Sequence, residues 1–143
     1  VIETWSGPFR KVSPVVTIRK AGIFAFWKGA NKLFGIGSSI QHFTICYDRD
    51  KSTVIFVPAV ESAKGAMPLY NDDRYIMLRA LKFFEQFGID TSVSRRYEIS
   101  QVDKYPGLHV KVPVYIVDLA KPLSDLSRRR GKSRGKSKSK SPV

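Results

Sequence analysis

Apolar residues along this chain fall into short runs with a period near two, divided by polar and glycine-containing breaks. That pattern predicts strands rather than long helices. Val15 to Lys20 reads as a strand, Gly22 breaks it, and Ile23 to Trp27 reads as a second strand rich in aromatics. Lys28 to Phe34 is a short helix candidate, with Gly35 placed to cap its C-terminus. Ile40 to Tyr47 and Thr53 to Val60 form a hairpin around Asp48-Arg49-Asp50-Lys51. After a linker from Glu61 to Gly65 the order recurs: a strand at Ala66 to Tyr70, a turn at Asn71-Asp72-Asp73, and a strand at Tyr75 to Leu78. A helix at Arg79 to Phe87 follows, with Gly88 standing where Gly35 stood. Ser94 to Val102 and Leu108 to Leu119 then read as a long hairpin around Tyr105-Pro106-Gly107.

Both halves therefore run strand, strand, short helix, strand, strand. Phe34-Gly35-Ile36 and Phe87-Gly88-Ile89 lie 53 residues apart, and the same offset joins Ile23 to Ile76 and Ala30 to Phe83. We read this as a degenerate duplication of a ββαββ unit, with units near 14–60 and 66–119. In the second hairpin Leu108, Val110, Val112, Val114 and Ile116 form the expected buried face, and His109, Lys111, Pro113, Tyr115 and Val117 the other. Ser94, Arg96, Glu98 and Ser100 give a polar face opposite Tyr97 and Ile99. In the second helix Ala80, Phe83, Phe84 and Phe87 form an apolar stripe expected to be core.

Charge changes the picture at the C-terminal end. The chain has 143 residues and a net charge of +13, and eight of its 25 basic residues lie in 128–143, where none of its 12 acidic residues falls. Those eight are Arg128, Arg129, Arg130, Lys132, Arg134, Lys136, Lys138 and Lys140, spaced by Gly and Ser. Such a segment has no apolar surface to offset the entropy of ordering, so it is expected to be disordered. It is suited to neutralise phosphates and release their counterions. The expected organisation is an irregular arm over 1–13, one β-rich domain over 14–123, and a disordered Lys/Arg/Ser tail over 124–143. Cys46 is the single cysteine, so no intrachain disulfide can form. No apolar run approaches the ~20 residues needed to span a bilayer as a helix, and Val1-Ile2-Glu3-Thr4-Trp5 carries no signal-peptide pattern.

Residues 14–60 resemble the AbrB-like swapped-hairpin family of DNA-binding domains. The resemblance is carried by Val16-Thr17-Ile18, then Gly22-Ile23-Phe24-Ala25-Phe26-Trp27-Lys28-Gly29-Ala30-Asn31-Lys32-Leu33-Phe34-Gly35-Ile36, then Ile55-Phe56-Val57-Pro58. Where the family has two DNA-contacting arginines this chain has Ile23 and Asn31, and Trp27 replaces the family's proline. Ser38-Ser39-Ile40 stands in place of the usual Gly-Asp. Lys28 carries over by position, and Lys32 lies one step from the second arginine. The resemblance implies a fold in which two ββαββ units interlock, as a homodimer in single-unit members and as a pseudo-dimer within a two-unit chain. The whole body also resembles small bacterial proteins with a Tyr-Asp hairpin, a Phe-containing helix and an Arg-Arg-Tyr strand. Here these are Tyr47-Asp48, Phe83-Phe84 before Gly88-Ile89-Asp90, and Arg95-Arg96-Tyr97. That second resemblance implies one continuous domain and no particular activity.

No catalytic constellation emerges from the residue types. His42 and Cys46 share a strand face, but two candidate ligands do not make a zinc site. Gly131-Lys132-Ser133 and Gly135-Lys136-Ser137 imitate the end of a phosphate loop, yet Leu126 and Arg130 occupy the positions where it needs glycine. Asp48 with Asp50, and Asp72-Asp73, read as turn residues. Basic residues interleaved with aromatics remain. Arg10, Lys11, Arg19, Lys20, Trp27, Lys28 and Lys32 cluster in the first third beside Phe24 and Phe26. Cations beside exposed rings on a sheet are how single-stranded nucleic acid is held. Phe24 and Phe26 are the better core candidates, and Trp27, at a strand end, the better exposed ring. Arg95 and Arg96 form a weaker second patch.

The expectation is a mainly antiparallel α+β domain of two interlocked ββαββ units with a disordered basic tail. Its function is expected to be non-enzymatic nucleic-acid binding, with DNA favoured over RNA. Arg19, Lys20, Trp27, Lys28, Lys32 and the tail cations are the expected contacts, and no cofactor, metal, membrane or small-molecule partner is expected. A homo-oligomer fits this reading. The expected setting is cytoplasmic, at the nucleoid, or nuclear in a eukaryote. An RNA or ribonucleoprotein component and a structural subunit of a protein assembly are the alternatives.

Overall fold

The structure, a computed structural model, describes residues 2–3, 14–31 and 34–125. Eleven strands and two short helices are present among them. They are β1 (Val15–Arg19), β2 (Ile23–Trp27), α1 (Lys28–Asn31), β3 (His42–Asp48), β4 (Thr53–Pro58), β5 (Met67–Pro68) and β6 (Tyr70–Asn71). They continue as β7 (Tyr75–Arg79), α2 (Leu81–Phe87), β8 (Arg95–Glu98), β9 (Ser100–Val102), β10 (Val114–Asp118) and β11 (Ser124–Asp125). Both glycines expected after the helices adopt the left-handed conformation, Gly35 at φ 76° and Gly88 at φ 65°. The Gly88 amide donates to the Glu85 carbonyl, which closes α2.

The strands form two antiparallel sheets, one of six strands in the order β11-β8-β1-β2-β7-β6 and one of five in the order β5-β3-β4-β10-β9. The sheets pack face to face around one core. The six-stranded sheet contributes Val16, Ile18, Phe24, Phe26, Ile76, Leu78 and Tyr97, and the five-stranded sheet contributes Phe43, Val54, Phe56, Tyr115 and Val117. The Phe24 and Phe56 rings meet edge to face across the sandwich, with centroids 4.9 Å apart. This geometry suits the ring quadrupoles. Helix α2 closes one end, where Phe84 is buried and stacks near Phe24 at 4.8 Å. The β1–β2 turn packs tightly on it: a Cβ added at Gly22 would lie 2.7 Å from the Leu81 Cα.

Several elements depart from the sequence pattern. The strand expected over Ala66 to Tyr70 is two strands in different sheets, because β5 pairs with β3 and β6 pairs with β7. The strand expected over Ser94 to Val102 also changes sheet, at Ile99: β8 pairs with β1 and β9 pairs with β10. In the second long hairpin only Val114 to Asp118 is strand, and the face assignment needs correction. Tyr115 and Val117 enter the main core, while Val114 joins Ile55 and Val57 in a second cluster, with Leu108, Val110 and Ile116 packed against it. The loop between β9 and β10 folds back over the five-stranded sheet, so both faces of β4 and β10 are covered. Alternation cannot identify a single buried face under that condition. At the other end, Ser124 and Asp125, expected in the tail, pair with Arg96 and Arg95.

The 53-residue offset also meets a steric condition. Phe24 is fully buried, while Met77, its equivalent at that offset, pairs with Ala25 and Tyr70 on the opposite face. Side chains alternate with period two, so this pairing of an inward with an outward residue means that the offset aligns β2 and β7 one residue out of phase. The offset aligns the glycines after the helices but not β2 with β7.

Candidate nucleic-acid interface

The inner face of the six-stranded sheet is core, and cross-strand register fixes what its outer face presents. Arg96 pairs with Thr17, Thr17 with Ala25, Ala25 with Met77, and Met77 with Tyr70. Paired residues share a face, so these five form one row across the sheet. Trp27 pairs with Tyr75 on the same face, and Arg19, Ile23 and Arg79 form another row. Glu98, opposite Val15, places a carboxylate at the margin.

The two outermost arginines of β1 and β7 lie on rings. Arg19 reaches diagonally across the sheet, its guanidinium carbon 4.7 Å from the Tyr75 ring centroid and its Nη1 3.7 Å from the Met77 sulfur. The small Ala25 side chain lies in that path, which accounts for its being 1% exposed on an outward-facing position. Arg79 lies over Tyr70 with 5.1 Å between guanidinium carbon and centroid. Cation–π contact holds each guanidinium without neutralising it, so the face keeps its positive charge.

Between the rows is a cleft of about 290 Å³ lined by Val15, Thr17, Trp27, Tyr75 and Arg96. The smaller Val15 and Thr17 form its base, and the larger Trp27, Tyr75 and Arg96 wall it. Trp27 is 42% exposed. Its indole leans on α1, where a Cβ at Gly29 would be 3.5 Å from Cε2 and Cζ2. Asn31 supports the same corner from beneath: its amide nitrogen donates to the carbonyls of Val15 and Trp27, each at 2.9 Å. Asn31 is fully buried and spans backbone instead of facing solvent.

The expected site residues are only partly gathered. Arg19, Trp27 and Lys28 lie on or beside this face, Lys28 being the first residue of α1 and partly exposed. Lys20 is exposed in the β1–β2 turn, at the far end of the hairpin from Trp27. The intervening strand residues rise ~3.4 Å each, so Lys20 does not flank the indole. Phe24 and Phe26 are core, both fully buried. Arg10, Lys11, Lys32 and all the tail cations, Arg128 to Lys140, lie outside the described residues. Tyr75, Tyr70 and Arg79 were not in the expected site, and Arg96 was only in its weaker patch. The alternation Tyr75, Met77, Arg79 carried a signal, but nothing local says that β7 lies beside β2.

Other chemistry is sparse. His42 and Cys46 sit four residues apart on a strand, roughly 13 Å along it, too far to share a metal ion. Among the described residues no group of three His, Cys, Asp or Glu side chains is close enough to hold a metal. Burial pushes the Cys46 thiol above its ordinary pKa. On the five-stranded side Tyr105 donates a short hydrogen bond to Asp48 Oδ2, beside an open groove lined in part by Arg49, Phe87 and Leu108. Burial, then that bond to the carboxylate, raises the Tyr105 hydroxyl to about 12, and the same bond holds Asp48 below its ordinary value. No described helix is long and apolar enough to cross a membrane. No family model, curated protein or solved structure matches the chain.

Proposed function

We propose that this chain is a non-enzymatic nucleic-acid-binding protein that holds its ligand on the outer face of the six-stranded sheet. The observation that carries the reading is the arrangement of Arg19, Arg79 and Arg96 beside Trp27, Tyr75 and Tyr70 on one sheet face. Guanidinium groups supply phosphate contacts and the rings supply stacking surfaces. The eight tail cations add affinity that does not depend on sequence.

DNA is favoured over RNA through the swapped-hairpin resemblance. Strand placement supports that resemblance in outline. β1 and β2 of the first half and β6 and β7 of the second lie in the six-stranded sheet, and β3, β4, β9 and β10 in the five-stranded one, while β5 and β8 cross that division. The halves meet at β2 beside β7 and β4 beside β10, among other pairings. A pseudo-dimer of ββαββ units would account for the two central pairings, though not for β5 and β8. The DNA-contacting arginines of the family are absent, so the contacts on this chain move to the outer sheet face.

The test is a fluorescence-anisotropy titration of the full chain with labelled DNA over a series of salt concentrations. Binding should weaken linearly in log affinity against log salt. Removing 128–143 should make the line shallower, by at most ~7 in slope on duplex DNA if all eight charges touch phosphate. Changing Arg19, Arg79 and Arg96 together to Gln should lower the remaining affinity. An affinity unaltered by salt, or by the triple substitution, refutes the assignment. A competition between DNA and RNA of one sequence at one salt concentration decides the polymer.

A further inference from the structure

Phosphate affinity alone asks only for a cationic surface, yet the outer face of the six-stranded sheet also carries a shaped cleft. Tryptophan is a residue that folding normally buries deeply, because its ring removes a large apolar area from water. Trp27 instead stands 42% exposed at the wall of that cleft, with Tyr75 as its cross-strand neighbour. The volume of about 290 Å³ lies at the lower end of the range for ligand pockets, which suits one ring system rather than a whole cofactor.

We infer that this cleft receives one unpaired base of a single-stranded polynucleotide, stacked on Trp27, with Arg96 at the cleft wall and Arg19 and Arg79 farther along the sheet taking neighbouring phosphates. This rests on the nucleic-acid reading above and adds the state of the strand and the point of contact. The walls are preorganised. Arg19 covers one face of Tyr75 without itself lining the cleft, and α1 backs the indole at Gly29. Ordering them costs little when ligand arrives. Duplex bases are stacked on both faces, so they enter only after being flipped out at a cost of a few kcal/mol. Unpaired bases enter directly. Charge favours the same occupant, since the chain carries +13 and this face presents three guanidinium groups against Glu98.

Trp5 and Trp27 are the two tryptophans, so Trp5→Phe leaves Trp27 as the one indole reporter. The Trp5→Phe chain is titrated with oligo(dU) and oligo(U) of about 15 nucleotides, and with a duplex of the same length at the same salt. Saturable quenching of Trp27 by a single strand, greater than by duplex, is expected, and the tighter of the two single strands identifies the sugar. In the otherwise native chain, Trp27→Ala should weaken single-strand binding roughly 5- to 150-fold while leaving the salt slope unchanged. Trp27→Phe should recover most of that loss, and Arg96→Gln should lower the single-strand slope by about 0.7 if its guanidinium meets one phosphate. Thermal melting of each variant separates lost contact from lost fold. If the native chain binds nucleic acid but duplex quenches Trp27 equally, or Trp27→Ala binds as well as native, the cleft assignment is wrong and the broader reading survives. If the native chain binds neither single strands nor duplex, both fall.

Discussion

Phe56 is the side chain on which the two sheets meet, and its removal should be the most damaging single truncation in the main core. The ring is fully buried and touches three others: Phe24 at 4.9 Å, Phe26 at 5.3 Å and Phe43 at 5.3 Å between centroids. Phe24 and Phe26 belong to the opposite sheet and present near-perpendicular faces, at 85° and 74°. Phe56→Ala removes the ring's transfer free energy and leaves a cavity bounded by two sheets that cannot both relax inward. The expected cost is about 3–5 kcal/mol. Against a total stability of roughly 5–15 kcal/mol, that is a large fraction. It corresponds to a fall in melting temperature of roughly 12–20 °C for a domain of this size. Urea denaturation followed by far-UV circular dichroism measures it, with Leu81→Ala, at a site 49% exposed, as a control expected to change stability by less than ~1 kcal/mol. A loss below ~1 kcal/mol for Phe56→Ala, with an unchanged m-value, would refute the placement of Phe56 between the sheets.

Three further outcomes follow from the geometry. Gly22→Ala should destabilise by more than ~1 kcal/mol, because φ is 75° there and the new Cβ would meet the Leu81 backbone at 2.7 Å; the urea midpoint reads this. Tyr105 has its folded pKa raised from 10.0 to about 12, so its contribution is complete below pH ~10 and is lost as the pH climbs through 12. Native protein should therefore lose stability between those values relative to Tyr105→Phe, and parallel pH–stability curves for the two would contradict the Tyr105–Asp48 bond. A fragment ending at Ala63 loses β8 and β7 on either side of the β1–β2 pair and β5 and β10 on either side of the β3–β4 pair, leaving four strand edges unpaired. It should aggregate or dimerise on size-exclusion chromatography, and a soluble monomer would argue against interdependence of the halves.

Strand character at β1, β2, β3, β4 and β7, helix character at α2 and the left-handed glycines after the helices were legible in the sequence. Each depends on neighbours within a few residues: period-two alternation, Phe spacing along a helical face, and a glycine where φ must be positive. Burial of Phe24 and Phe26, and exposure of Trp27 at its strand end, followed from the same local pattern. The charge of the tail is a matter of composition alone.

Pairing across the chain was decided elsewhere. Whether Tyr75 stands beside Trp27, and Arg96 beside Thr17, depends on contacts between residues far apart in sequence. The energies that select those contacts come from burying Phe24, Phe56 and Leu78 together in one core. The sheet changes near Leu69 and at Ile99 arise in the same way, since each of those segments pairs with a strand of one sheet on one side of the change and a strand of the other sheet on the other. Alternation misread β10 because a loop covers its outer side, making both faces apolar. Arg19 carries the clearest case. Its sequence context shows a cation at the end of a strand, while its position across the sheet, over Ala25 and onto Tyr75, exists only because three strands are assembled in register.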